Sequence, residues 1–582
     1  MPVHLETDVL VIGGGVSGPT AALEAHKRGL KTMVVVKSLL GKSGCSIFAG
    51  NLNFFAPSED DGEKKNEPTP EEKEESIRRT LNFSAKYTHY LGDQEYMRKA
   101  SEFTQKVFWP WIESKGLYVL RDENGAIVSD IPFRTSAWAP KMGMSGTIIA
   151  DMLRKDVFRS GIPVLQQATA TRLLVQDGEC VGAAVLDFVN GEFYIIRAKV
   201  VILATGHSNY LSLRATGTRD GAASGWVMAY EAGAKLQNIE MQWYHASDVA
   251  YPATWMRLHL YPNPMAGTRH RSQLLNDQGE IFYDANWMGD NPVPYIMQLK
   301  AVAKQVMEGK ARFDGGFYTN YTHIEPHVFE KYFYQTQFFE KIGLHPSKDM
   351  WENAITWHMN VGGVRVNGQT MESDVPGLLI AGSVGALVTG GIPNVIYDGR
   401  VAAKTAYERA TSMDARKPLP EELAAAEEKR VFSLLTQSPE DGLLPGQVKK
   451  RLRTVIWENL NYIKSEASMQ KTLEELDRLR EEVLPRMRLQ TDTLRYNYDW
   501  VDALDVHDML TALTLETHFS LYRKESRGAF FREDYPNTDN TNWLKHIVGH
   551  KSNGELHLNT LPVDLPYAQP EEEIASFFDV DY

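Results

Sequence analysis

The sequence reads as an α/β chain, Rossmann-like at its N-terminus and helical toward its C-terminus, on three observations. Near the start, the apolar run Asp8 to Ile12 leads into a glycine-rich turn and then a helical pattern. Further short apolar strands, separated by turn residues, recur as far as Leu378 to Ile380. After Arg400 the segments become long, amphipathic and poor in strand signals.

Taken in order, Asp8 to Ile12 is the first strand, Pro19 to Arg28 a helix and Lys31 to Val36 a second strand, which together make a β-α-β unit. Pro57 to Lys73 is dense in charge, proline and glycine and lacks apolar periodicity, so an exposed loop is expected there. Thr169 to Val175, Gly182 to Leu186 and Glu192 to Arg197 read as antiparallel strands around the turns Gln176-Asp177-Gly178 and Asn190-Gly191, and lead into the strand Val200 to Leu203. Helices are expected over Glu421 to Phe432, Gly446 to Asn461, Ser465 to Val483 and Val501 to Tyr522.

Composition narrows the function. A chain of 582 residues needs two or three domains and can enclose a large ligand. A formal net charge of -13, with no basic stripe interleaved with aromatics, argues against nucleic acid as a partner and favours small molecules or proteins. No apolar run approaches the roughly 20 residues that span a bilayer, so no transmembrane segment is expected. The N-terminus reads directly into a strand with no export signal, which makes the cytoplasm the expected compartment. Two cysteines, Cys45 and Cys180, cannot supply the roughly four thiolates of an iron-sulfur cluster, so any cluster belongs to another chain. No metal site is expected.

Gly13, Gly15 and Gly18 satisfy G-x-G-x-x-G directly after the first strand. In that pattern the glycines allow a tight turn, close approach of backbone to a pyrophosphate and close packing of helix on strand, while the helix N-terminus faces the phosphates. Val16 and Ser17 complete the turn. Alone, the pattern is weak, because glycine turns also close ordinary strand-helix junctions. Two later strands add to it. Val200 to Leu203 ends in Ala204-Thr205-Gly206, resembling the strand that returns to the cofactor in two-dinucleotide-domain flavoproteins, and Leu378 to Ala381 with Gly382 resembles their closing strand. The three strands in that order point to FAD.

The chain resembles the flavoprotein subunits of succinate dehydrogenase and fumarate reductase, together with L-aspartate oxidase and adenylylsulfate reductase, nearly end to end. The resemblance rests on Thr218-Arg219-Asp220-Gly221, Tyr230-Glu231-Ala232-Gly233-Ala234, Glu240-Met241 to His245, Leu274 to Glu280, His358 to Gly363, Gly399-Arg400-Val401-Ala402 and, most specifically, Arg523 to Ala529 with Arg532 to Pro536. It implies a Rossmann-like FAD-binding domain (residues 1–245 and 351–410), an inserted α+β capping domain (246–350), a helical domain (411–522) and a C-terminal extension (523–582). It also implies FAD contacts at Lys37, Ser43, Gly44, Asp220, Gly382 and Ser383. Members with covalent flavin carry a histidine where Gly44 stands, so noncovalent FAD is expected. Cys45, one residue on, reads as a small packed residue.

Substrate residues depart from the family pattern. Dicarboxylate-using members hold one carboxylate with a Thr-Glu pair and a histidine, hold the other with a histidine and an arginine, and donate a proton from a further arginine. His245 and His358 match the histidines, with hydrogen-bonded core histidines the competing reading. The Thr-Glu positions are Pro264-Met265, and the proton-donor position is Thr268, beside Arg269 and Arg271; either arginine fits the role as well as the other. The segment that carries the carboxylate-binding arginine is Gly385 to Pro393, which has none, and the Glu that usually follows Ala-Gly in the closing strand is Ser383. Succinate, fumarate and aspartate are therefore poor candidates, because a buried carboxylate without its partners is costly.

Trp243, Tyr244, Tyr251, Trp255 and Trp357 lie beside these segments and read as core more readily than as an aromatic wall. A catalytic flavoprotein subunit working with a ferredoxin-like iron-sulfur partner is the expected function. A dioxygen-using oxidase and a noncatalytic FAD-binding scaffold are the alternatives, and an oligomer remains open.

Overall fold

The computed structural model describes residues 2–49, 52–55, 71, 78, 81–82, 84–86, 88–117, 134–137, 145–251, 270–288, 295–312, 315–332, 336–337, 340–345, 347–387, 391–436, 441–571 and 573–578. The charged stretch Pro57 to Lys73 falls, Glu71 apart, outside these residues.

The chain is α/β with a helical C-terminal region. Its largest sheet runs in the order Val164–Gln166, Thr32–Val36, Val3–Ile12, Glu192–Leu203, Glu179–Asp187, Ala168–Gln176, and Leu378–Ile380 pairs with the far end of Glu192–Leu203. Glu192–Leu203 is one strand, where the sequence suggested two. Its first half pairs antiparallel with Glu179–Asp187, while along its length it runs parallel to Val3–Ile12, with Ile12 opposite Leu203. Leu378–Ile380 adds a second parallel neighbour at Val201 to Leu203.

Parallel strands covered on both faces should be almost continuously apolar, and Val9, Leu10, Val11, Val200, Val201 and Ile202 have no exposed surface. Val9, Val11, Val200 and Ile202 face the helices Ser17–Lys27 and Ile392–Ser412, which meet them through Ala21, Ala22, Ala25, Ala402 and Ala406. These small residues let the two helices approach closely: a Cβ on Gly399 would sit 2.6 Å from the Ser17 carbonyl oxygen. The opposite face, with Leu10, Val201 and Leu203, packs toward Trp226, Leu513 and the helical region.

A second sheet has the order Gln242–Tyr251, Trp351–Asn360, Gly316–Asn320, Gln273–Leu275, Ile281–Tyr283, and a third joins Gly363–Val364 and Leu236–Gln237 to the hairpin Lys545–Ser552 and Glu555–Pro562. The C-terminal helices are Glu421–Ser433, Pro445–Asn459, Glu466–Arg478 and Tyr498–Tyr522. The third is shorter than its pattern suggested, because Leu479 to Val483 widens into a π turn before Pro485. Asn497 caps the last, accepting from the Trp500 amide at 3.1 Å.

The Arg523 to Ala529 stretch is a buried ionic lock. The Arg523 Nε donates to Glu240 at 2.8 Å and its Nη1 to Glu525 at 2.8 Å, and Arg527 donates to both Glu525 oxygens at 2.8 and 3.0 Å. Arg532 donates to the carbonyls of Leu521 and Arg523 at 3.1 and 2.8 Å. Arg523, Glu525, Arg527 and Arg532 are all buried, so each charge depends on its partner, and removing one from such a pair costs about 3–5 kcal/mol. The motif thus ties the C-terminal end to Glu240, immediately ahead of the second sheet.

Asp398 is wholly buried on Ile392–Ser412, where it accepts from the Tyr96 hydroxyl at 2.6 Å and the Gly382 amide at 3.1 Å. Burial raises its pKa from 3.8 to about 7, outweighing both hydrogen bonds. Between these values the folded protein holds a proton that the unfolded chain releases, so raising the pH favours unfolding. Relative to D398N, the wild type should lose up to about 1.4 kcal/mol of stability per pH unit from pH 4 to 7, then level off. Denaturant midpoints of both proteins at several pH values check this, and a constant difference between them refutes it.

Candidate functional site

A cavity of about 360 Å³ runs from the glycine turn to the edge of the second sheet. At one end stand Gly13, Gly14 and Gly15, at the other His245 and His358. Parallel pairing creates the first end: the Ala204 amide donates to the Ile12 carbonyl at 2.7 Å, and the Gly13 amide to Val35 at 2.9 Å. A Cβ on Gly13 would lie 2.1 Å from the Ala204 carbonyl oxygen, and one on Gly18 would lie 2.1 Å from the Gly13 carbonyl oxygen, so both positions require glycine for packing. Gly15 differs. Only the Ser46 Oγ, at 3.3 Å, would meet a Cβ there, which leaves its backbone open on the cavity side, where a diphosphate needs close approach.

Of the cofactor residues expected from sequence, Gly13, Gly15, Lys37, Ser43, Gly44, Ala204, Thr205, Gly206, Asp220 and Ser383 line this cavity. Val16, Ser17, Gly18 and Gly382 lie behind it. The Val16 amide donates to Ser46 Oγ at 3.3 Å, and the Gly382 amide is committed to Asp398. Gly206, at φ +82°, and Gly44, at φ +76°, have nothing within 4 Å of an added Cβ, so the wall stays open at both. Open glycine backbone beside the end of a helix fits the diphosphate of a dinucleotide.

The histidines sit on paired strands. Tyr244 faces Trp357 and Trp243 faces Met359, which leaves His358 as the extra residue of a β-bulge. A regular strand would send His358 and Met359 to opposite faces; the bulge lets both line the cavity. The His245 and His358 rings then meet edge to face with centroids 4.1 Å apart. Thr216 Oγ1 lies 2.7 Å from His358 Nδ1, and the Asn209 amide donates to the His358 carbonyl, so ring and backbone are both held. Trp243, Tyr244 and Trp357 are buried core residues outside the cavity lining, with Trp357 Nε1 donating to the Met359 carbonyl at 3.2 Å. The Tyr251 side chain and Trp255 lie outside the described residues.

The sequence did not single out His207, Asn209 or Thr216, which also line the cavity. Burial lowers the His207 pKa to about 4, so its imidazole is neutral at pH 7. The available signal was position: His207 directly follows Ala-Thr-Gly, and Thr216 stands just before Thr218-Arg219-Asp220-Gly221.

The two candidate arginines separate. Arg269 lies outside the described residues, as do Pro264, Met265 and Thr268. Arg271 is fully buried away from the cavity lining, with its Nη1 donating to the Ala285 carbonyl at 2.7 Å. Asn286 and His323 contact its carbonyl oxygen at 2.9 Å each. Its guanidinium therefore fixes the turn before Asn286–Met288, which is the correction to its expected place in the site.

Residues 8–393 match the family model described as FAD binding domain, and residues 449–574 match the one described as fumarate reductase flavoprotein C-term. The chain is 27% identical over 567 residues to one component of the fumarate reductase (CoM/CoB) of Methanothermobacter marburgensis, covering 93% of this chain and 97% of that protein. It is 26% identical over 604 residues to the 8-methylmenaquinol:fumarate reductase flavoprotein subunit of Wolinella succinogenes, covering 97% and 92%. In fold it is similar to a chain of E. coli quinol fumarate reductase, with TM-score 0.84, 19% identity and coverage of 98% and 99%. Adenylylsulfate reductase of Archaeoglobus fulgidus shares the fold with TM-score 0.78, 20% identity and coverage of 97% of each chain. The chain belongs to the fumarate reductase and succinate dehydrogenase flavoprotein family and is an FAD-dependent oxidoreductase.

Proposed function

We propose that this chain is the catalytic flavoprotein subunit of an oxidoreductase that acts on a small organic substrate other than succinate or fumarate and exchanges electrons with an iron-sulfur partner protein. The supporting observation is that one cavity joins the dinucleotide turn at Gly13 to Gly15 to the paired imidazoles of His245 and His358. Bound FAD supplies hydride transfer at its flavin ring. His245 and His358 orient and polarise the substrate, with Thr216 fixing the His358 ring through Nδ1. We assign the accompanying proton to Arg269, since Arg271 is buried outside the described cavity lining, where its Nη1 donates to the Ala285 carbonyl.

The substrate reading is supported by charge. Among the described residues that line the cavity, Lys37 is the one lysine or arginine. The family's Thr-Glu pair is Pro264-Met265, and Gly385 to Pro393 holds no arginine. The relatives named as fumarate reductases are therefore guides to cofactor and chemistry rather than to substrate. Two cysteines, Cys45 and Cys180, are too few to ligate an iron-sulfur cluster, so the cluster of the proposed partner belongs to that second chain. FAD is held noncovalently, because Gly44 stands where covalent members carry histidine.

Acid precipitation of the purified yellow protein should leave all flavin in the supernatant; flavin in the pellet refutes noncovalent binding. Anaerobic dithionite-reduced protein should keep its reduced spectrum when fumarate is added and reoxidise slowly in air. Rapid recovery of the visible flavin band with fumarate refutes the substrate reading, and rapid recovery in air supports the oxidase instead. With the substrate found by screening for flavin bleaching, T216V should slow flavin reduction about 10-fold and H358A about 100-fold, with FAD content unchanged in both. Stopped-flow absorbance reads these rates, and wild-type rates in H358A remove the histidine from the mechanism.

A further inference from the structure

Beneath the cavity wall, five charged residues from two parts of the chain form a continuous network. Lys37, at the end of Thr32–Val36, contacts the Asp505 carboxylate on Tyr498–Tyr522. The other Asp505 oxygen accepts from Lys449 Nζ at 2.7 Å, and the same ammonium reaches Asp502 at 2.6 Å. Asp502 in turn accepts from Arg219 Nη2 at 3.2 Å. Ser38 and Asp220, the chain neighbours of Lys37 and Arg219, close the circuit: the Ser38 Oγ donates to Asp220 at 2.7 Å. Lys37, Ser38 and Asp220 all line the cavity, while Asp505 and Lys449 are buried behind it.

We propose that Asp505 is a positioning residue for the cofactor: with Lys449 it holds the Lys37 ammonium at the cavity wall, so that the helical region sets the affinity for FAD. Asp502 and Asp505 are three residues apart and so share one face of their helix, and a single buried lysine bridges them. Asp220, joined to the network through Ser38, adds a third carboxylate, and Lys37 is the one lysine or arginine among the described lining residues, so there an anion can meet a cation only at Lys37. A diphosphate is that anion. Burial alone would raise the Asp505 pKa, yet Lys37 and Lys449 bring it below the usual value, so the carboxylate stays ionised at neutral pH. Without Asp505, Lys37 would lose the carboxylate it is paired with and face the Lys449 ammonium, and would leave its place.

The test uses full-length protein and rests on noncovalent FAD, which the acid precipitation examines separately. Flavin is removed, and the Kd for FAD is measured by fluorescence quenching for wild type, D505N, K37M and the double variant. D505N and K37M should each weaken FAD binding at least 10-fold, and the double variant should bind no more weakly than K37M, because both changes remove the same contact. A D505N Kd within twofold of wild type overturns the proposal, even if its thermal midpoint falls. So does a double variant whose losses multiply. Should D505N not accumulate as folded protein, D505E with and without K37M gives the same comparison and the same overturning results.

Discussion

Everything in this molecule that concerns the cofactor depends on one close approach, that of Gly13 to the end of the strand Glu192–Leu203. The Ala204 amide bonds to the Ile12 carbonyl, and the Ala204 oxygen occupies the space a Gly13 side chain would need. Any Cβ at that point would push the two parallel strands apart at their carboxyl ends. Ala204-Thr205-Gly206 would then swing off the turn, and with it His207, Asn209 and the Thr216 segment that holds His358. The glycine thus acts through sheet packing as much as through ligand contact. Gly15 alone of the three is left open for the ligand.

A second constraint builds the other end of the cavity. Strand periodicity allows one side chain in two to face a given side, so two strands crossing the mouth would supply His245 and only one of His358 and Met359. The bulge at His358 breaks this limit locally and brings its ring against His245. The cost is one unpaired ladder position, and it is met by Thr216 and Asn209, which grip the ring nitrogen and the carbonyl of the bulged residue. Both come from the loop that leaves the strand next to Gly13, so the two ends of the cavity are held by the same connection.

The sheet and helices were largely legible because burial on both faces forces continuous apolar runs such as Val9 to Ile12 and Val200 to Leu203, and because helices keep amphipathic period even where they pack. The glycine turn was legible as a local pattern after an apolar strand, and the two histidines through the resemblance to the flavoprotein family. Illegible were contacts between residues far apart in sequence. Lys37 and Asp505 are 468 positions apart, and nothing around either announces the other. Arg271 was misleading in the opposite sense: a charged residue near the matched segment suggested a site role, but a fully buried guanidinium also satisfies carbonyls at a turn, and Ala285 claims it. The Arg523 to Ala529 motif, the most family-specific stretch, likewise serves structure, since its charges neutralise one another around Glu240 and Glu525.

That division bears on why a family can keep its cofactor and change its substrate. Holding FAD requires positive potential near a diphosphate, and on the proposed reading it comes from Lys37, fixed by the sheet and the helical region. Elsewhere in the described lining Asp220 is acidic, His207 is uncharged at neutral pH, and Thr216, Asn209, Ser383 and the backbone at Gly206 offer hydrogen bonds without charge. Such a lining can orient a neutral or singly charged substrate through donors and acceptors, at about 1 kcal/mol per satisfied bond. A second carboxylate would have to shed its water, the described lining offers no guanidinium to replace it, and desolvation would then exceed what neutral hydrogen bonds return. On the proposed reading, losing the arginine of the Gly385 to Pro393 segment changes the ligand without touching the fold, because the described residues of that segment, 385–387 and 391–393, carry none of the ionic lock and none of the strand pairing around Gly13.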